Sequence, residues 1–139
     1  NIGCAEDLAS TATLPARARA RSDFAGSGLA HAEKIDFETL FALANQGDAC
    51  SQALQRQCLQ VWAAVVQNAV LAYDPEVVVL GGGVLRSRDI VLPAMAEYFR
   101  RHMPSLPLQV SVVAAALGDD AALIGGEALF KQTQPALFS

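Results

Sequence analysis

The sequence is poor in charge and in aromatic side chains, and it has no long apolar run. Charged residues make up 17% and aromatic residues 6% of the 139 positions, whereas an average soluble domain is about 25% charged. A membrane-spanning helix needs roughly 18 consecutive apolar residues, so we expect no membrane partner. The net charge of −4 argues against nucleic-acid binding, which normally requires a basic surface.

Cysteine is also scarce. The three cysteines, Cys4, Cys50 and Cys58, are an odd number and cannot all pair within one chain. Cys50 and Cys58 lie two turns apart on a predicted helix, too far for a simple disulfide. We therefore expect reduced cysteines and a cytoplasmic protein. Residue 1 is Asn rather than Met, and we expect a fragment or a processed chain without a secretory leader.

The most informative stretch is the apolar run Val77–Leu80, which leads directly into Gly81, Gly82 and Gly83. A short strand with no polar residue predicts burial on both faces, as in a parallel sheet. Glycines remove the side chains from a turn, so that another backbone or a ligand can come close. Open α/β sheets bind nucleotides at this end of their strands. On the pattern alone, a tight strand-to-helix turn and a nucleotide site both remain open.

Helical patterns surround this strand. Apolar residues at spacings of three and four predict a long helix over Ala49–Tyr73. Its second half is apolar on nearly every side, which predicts a central position. Shorter elements are predicted as helices over 6–11, 36–45, 90–102 and 121–132 and as a second strand over 108–116. Gly125 and Gly126 lie inside the last helix and predict that something packs close to it.

Strand, helix and second strand form one βαβ unit. A two-stranded sheet is rarely stable alone. We therefore expect the sheet to continue into strands from outside this chain, and we expect a homo-oligomer or another protein partner.

Three stretches carry a resemblance to a known family. They are Gly3-Cys4-Ala5-Glu6 with Ala9-Ser10, residues 74–84 and residues 117–126. Together they resemble the ROK family (repressor, open reading frame, kinase), which includes bacterial sugar kinases and sugar-responsive repressors. The resemblance covers residues 1–139 as a single partial domain, the C-terminal part of a longer chain whose N-terminal lobe is absent. It implies an α/β fold: part of the C-terminal lobe of an actin-like (ribonuclease H-like) sugar kinase, helix-rich with a βαβ unit.

The resemblance also implies an activity. The implied reaction is transfer of the γ-phosphate of ATP, with Mg²⁺, to a hydroxyl of a hexose or N-acetylhexosamine. The alternative is the sugar-sensing domain of a ROK-type transcriptional repressor. No acid in this chain matches the family's catalytic aspartate. We therefore assign no catalytic residue and expect no kinase activity from the isolated chain.

Five residues match ligand positions of the family. Glu6 matches the glutamate that hydrogen-bonds sugar hydroxyls. Gly81, Gly82 and Gly83 match the segment that lies against the adenosine of ATP, and they lack the Lys-Ser/Thr of a P-loop. Cys4 matches one cysteine of a structural Zn²⁺ site, whose other cysteines would precede the first residue.

Overall fold

The computed structural model describes residues 3–103 and 110–133, which form six α-helices and one two-stranded sheet. In chain order these elements are α1 (Ala5–Ala9), α2 (Leu14–Arg19), α3 (Phe37–Asn45), α4 (Ala49–Tyr73), β1 (Val77–Leu80), α5 (Arg88–His102), β2 (Ser111–Ala114) and α6 (Ala121–Thr133). Short 3₁₀ helices lie at Phe24–Gly26, Gly28–His31, Gly83–Ser87 and Gly118–Asp120. Within the described residues, none of the helices combines the length and the hydropathy needed to cross a bilayer.

Helix α4 is the centre of the core, and α1, α3 and α5 all pack against it. Its start is fixed by Asp48, whose carboxylate accepts a hydrogen bond from the Ser51 amide at 2.7 Å. It ends at Asp74, which has a left-handed φ of 45°. The predicted bounds and the central position of this helix are confirmed. Its second half is nevertheless not covered all round, since Val65 is 47% exposed and the described neighbouring elements cover only one side of the helix.

The sheet forms the predicted βαβ unit. Strands β1 and β2 pair in parallel, with Val77 opposite Ser111 and Leu80 opposite Ala114, and α5 connects them. The prediction that β1 is buried on both faces is wrong for the described residues, since Val77 and Val79 are 51% and 62% exposed. The physical reason is that the alternate residues pack on the helices, whereas no described element covers the other face.

Helix α6 lies at the edge of the structure and buries none of its described side chains. Leu123 is 75% exposed and Phe130 is 49% exposed. A methyl group added at Gly125 or Gly126 would meet no described atom within 4 Å. The close packing predicted at these two glycines is therefore absent from the described part of the chain.

Candidate functional site

The three glycines form a turn at the carboxyl end of β1. Gly82 has a φ of 93° and a ψ of 168°, a combination that is essentially restricted to glycine. The carbonyl of Gly82 then accepts a hydrogen bond from the Leu85 amide at 3.0 Å, and the 3₁₀ helix that begins at Gly83 leads into α5. The turn therefore combines a required backbone conformation with an absence of side chains.

One cavity lies on the Gly81 side of this turn. It has a volume of about 280 Å³ and lies between α1, α4 and the end of β1. Its lining is mostly apolar, with Trp62 and Met95 among the larger side chains, and Glu6 is the charged residue at its edge. The fold thus brings together Glu6 and Gly81, two predicted site residues that are far apart in the sequence.

The position of Glu6 depends on how α1 is held. Glu6 is exposed in the first turn of α1, and Ala9 at the end of this helix is buried. The indole N–H of Trp62 donates a hydrogen bond to the carbonyl oxygen of Ala9 at 2.9 Å. Sequence reasoning placed Trp62 on α4 but missed this contact, because helical periodicity carries no information about which carbonyl an indole will reach.

A second, more polar cavity begins at the other end of the glycine triplet. Its volume is about 380 Å³, and Gly83 and Arg86 form one wall while Lys34 and Asp36 form another. Lys34 Nζ lies 2.9 Å from a carboxylate oxygen of Asp36. The backbone N–H of Thr39 and then Lys34 lower the pKa of Asp36, so this carboxylate is ionised at neutral pH. No sequence pattern predicts this cavity, because Lys34 lies in a stretch without periodicity.

The described residues do not by themselves form a zinc site. Cys4 is exposed just before α1, and no group of three or more His, Cys, Asp or Glu side chains in 3–103 and 110–133 could hold a metal ion. Cys50 and Cys58 are buried in the core. Burial raises the pKa of the Cys58 thiol, and the guanidinium of Arg17, 3.5 Å from its sulfur, lowers it by less. A single thiolate does not fit the four-ligand site that structural zinc requires.

Solved structures establish the fold class. The chain superposes with a TM-score of 0.74 on a ROK family glucokinase from Streptomyces griseus in complex with glucose and AMPPNP, at 28% identity. That match covers 95% of this chain and 46% of the glucokinase. A ROK hexokinase from Thermus thermophilus gives a TM-score of 0.69 at 31% identity, over 88% of this chain and 38% of that one. The chain therefore has the α/β fold of part of an actin-like sugar kinase, as predicted.

The family follows from the sequence comparison. The sequence model of the ROK family matches residues 1–133, and the chain belongs to this family. A glucokinase from Thermotoga maritima is 31% identical over 72% of this chain and 32% of its own length. An N-acetylmannosamine kinase from Salmonella arizonae is 33% identical over 92% of this chain and 40% of its own length. The chain thus spans less than half the length of these relatives.

Proposed function

We propose that this chain is the C-terminal portion of an ATP-dependent kinase that phosphorylates a sugar hydroxyl, on a hexose or an N-acetylhexosamine. The observation that carries the proposal is that two cavities adjoin one glycine turn. One cavity contains Glu6 and Gly81, and the other begins at Gly83. The glucokinases and the N-acetylmannosamine kinase among the relatives support this substrate class.

The first cavity suits a sugar. The carboxylate of Glu6 can accept hydrogen bonds from two hydroxyl groups at once, and such charged hydrogen bonds are stronger than neutral ones. The apolar lining, which includes Trp62 and Met95, can receive the C–H surface of a pyranose ring. Specific pockets commonly combine an apolar wall with a few polar groups that fix the orientation of the ligand.

The glycine turn and the second cavity suit the nucleotide. Gly81, Gly82 and Gly83 leave room for the adenosine of ATP. The second cavity, which begins at Gly83, has a polar lining in which the cation Lys34 is paired with Asp36. Mg²⁺ would enter with ATP, and we assign it no ligand in this chain. Phosphoryl transfer also needs a base that orients the sugar hydroxyl. We place that base outside this chain and therefore assign no catalytic residue within it.

We further propose that an N-terminal lobe covers the apolar surface that this chain leaves open. This surface consists of Val77, Val79 and Val113 on the sheet and Leu123 and Ile124 on α6. Val79 and Val113 are paired across the sheet, and exposed apolar patches of this kind mark an interface. The longer relatives, of which this chain spans 32% to 46%, have the additional length that such a lobe requires.

Three further properties belong to the same proposal. Cys4 would supply one thiolate to a structural Zn²⁺ site whose other ligands lie outside the chain, and a Cys4→Ser variant of the full-length protein should lose its bound zinc. The complete protein would be a homo-oligomer. It would function in the cytoplasm, where its buried thiols Cys50 and Cys58 stay reduced.

A second candidate function is the sugar-sensing domain of a transcriptional repressor. The observation that favours it is a ROK family transcriptional regulator, a homologue of the Escherichia coli MLC protein, on which this chain superposes with a TM-score of 0.75 at 28% identity. This match covers 95% of the chain and 34% of the regulator. In this case the full-length protein would bind DNA and would not consume ATP.

Substitution of Glu6 in the full-length protein tests the proposed sugar site. Loss of charged hydrogen bonds costs about 1.5–3 kcal/mol, so Glu6→Gln should raise the KM for the sugar roughly 10- to 100-fold in a coupled ADP-release assay. Asp7→Asn is the matched control, because Asp7 is an exposed acid in the same turn that does not line the cavity. Equal effects of the two substitutions would remove the reason for assigning Glu6 to the sugar.

A further inference from the structure

Helix α1 is too short to hold Glu6 in place by itself. It has five residues, and its N-cap residue Cys4 makes no side-chain hydrogen bond to the helix. Isolated helices of this length are not stable in water, and the last carbonyl groups of any helix lack intrahelical partners. The orientation of the Glu6 carboxylate therefore depends on contacts between α1 and the rest of the protein.

Trp62 supplies such a contact from α4. Its indole N–H donates to the carbonyl of Ala9, the last residue of α1, at 2.9 Å. The hydroxyl of Thr13 reaches the carbonyl of Glu6 at 3.3 Å, but this is a longer and exposed bond from the segment that follows α1. Within the described part of the chain, the indole contact adds a directional hydrogen bond to the apolar packing of α1, through Ala9, on the central helix.

The indole ring of Trp62 also packs against Phe37 of α3. The rings of Trp62 and Phe37 meet edge to face, with centroids 4.8 Å apart. Phe37 begins α3 and lines the second cavity, beside the helix cap Asp36. Trp62 also lines the first cavity together with Glu6. The orientation of the N–H is therefore set by packing on α3, and its acceptor belongs to the helix that carries Glu6.

We propose that Trp62 is a positioning residue for sugar recognition, which holds α1 through the Ala9 carbonyl so that Glu6 meets the sugar hydroxyls. This inference rests on the proposed function. A displacement of a recognition group by a fraction of an ångström weakens directional hydrogen bonds. Loss of the indole N–H should therefore weaken the sugar interaction and leave nucleotide binding unchanged.

The test is a double-mutant cycle in the full-length protein. Trp62→Phe removes the N–H but keeps an aromatic ring. We expect it to raise the KM for the sugar about three- to tenfold, as for one neutral hydrogen bond, while the KM for ATP changes less than twofold. In the Glu6→Gln background, Trp62→Phe should have no further effect, because Trp62 acts through Glu6. A direct sugar contact by the ring would instead give the same factor in both backgrounds.

Two controls keep the result interpretable. Phe37→Leu removes the ring that orients the indole but keeps the N–H, so it should raise the KM for the sugar in the same direction as Trp62→Phe and by a smaller factor. If Trp62→Phe unfolds the protein, 3-benzothienylalanine at position 62 replaces the N–H by sulfur at nearly equal volume and should give the same three- to tenfold rise.

The outcomes separate this inference from the function on which it rests. A large effect of Glu6→Gln with no effect of either change at Trp62 overturns the positioning role alone, as does an equal effect of Trp62→Phe in both backgrounds. If Glu6→Gln itself leaves the KM for the sugar unchanged, the sugar assignment and the positioning role both fall.

Discussion

Alanine substitutions at Gly82 and Gly83 should separate the two reasons for a glycine in this turn. With a φ of 93° and a ψ of 168°, Gly82 occupies a region that costs a residue with a Cβ about 1–3 kcal/mol. Gly82→Ala should therefore lower the free energy of unfolding by that amount. Gly83 has no positive φ, and an added methyl group would have no described atom within 4 Å. Gly83→Ala should be neutral, or stabilising by up to about 1 kcal/mol.

For nucleotide binding, Gly83→Ala is the informative variant, because it should change the KM for ATP without changing stability. The methyl group of Gly83→Ala would occupy space that we assign to the adenosine of ATP, so the KM for ATP should rise roughly tenfold, about 1.4 kcal/mol, in a protein of unchanged stability. Urea unfolding and a coupled ADP-release assay on the full-length protein measure the two quantities separately. A fully stable Gly83→Ala protein with an unchanged KM for ATP would refute the nucleotide assignment. A Gly82→Ala protein as stable as the wild type would refute the backbone argument.

Three further predictions concern stability and association. Asp48→Ala should lower the free energy of unfolding by about 2–4 kcal/mol in urea unfolding. The substitution removes the cap of α4 and leaves the Gly28 amide, 2.8 Å from that carboxylate, without its acceptor. Asp48→Asn should lower it by less, and equal effects of the two substitutions would contradict this. Hydrogen bonds hold the pKa values of Asp36 and, against the opposing effect of burial, Asp48 below the ordinary value of about 3.9. The contribution of these two carboxylates to the free energy of unfolding is therefore complete above about pH 4 and is lost as the pH falls through their folded-state pKa values. A protein that becomes more stable on acidification would contradict the direction of these two pKa shifts. Val79→Ser on the open sheet face should reduce self-association of the isolated chain in sedimentation while changing the free energy of unfolding by less than about 0.5 kcal/mol; a wild-type monomer at high concentration would contradict this.

Local patterns in the sequence predicted most of the secondary structure. The helix predicted over 36–45 forms as α3, and the carboxylate of Asp36 caps it by accepting a hydrogen bond from the Thr39 amide at 2.9 Å. The long helix has the predicted bounds, Ala49–Tyr73, because its periodicity is sustained and both ends carry stop signals. The second strand is shorter than predicted, with described bounds of Ser111–Ala114, and residues 104–109 lie outside the described part.

Burial was harder to predict, because it depends on which elements are present to cover a surface. The apolar composition of Val77–Leu80 indicates a strand suited to burial on both sides, but the described chain covers only one. The same reasoning applies to α6, whose glycines suggested a close neighbour. For both β1 and α6, the sequence pattern predicts an apolar surface but does not predict which element covers it.

The candidate site was predictable only where a family motif marked it. Glu6 and the glycine triplet were identified by resemblance, and the fold places Glu6 and Gly81 at one cavity. Trp62 and Lys34 belong to no such motif. Their positions depend on long-range contacts, between α4 and α1 for Trp62 and between the segment before α3 and the glycine turn for Lys34. Local patterns in a single sequence do not predict such contacts.

Sugar-dependent ATP turnover by the full-length protein tests the central claim most directly. The measurement is ADP release with a panel of hexoses and N-acetylhexosamines, alongside the isolated 139-residue chain. We predict turnover by the full-length protein only when both sugar and ATP are present, and none by the isolated chain. Turnover by the isolated chain would contradict the assignment of the catalytic base to another part of the protein. Sugar-responsive DNA binding without ATP turnover would contradict the kinase and favour the repressor.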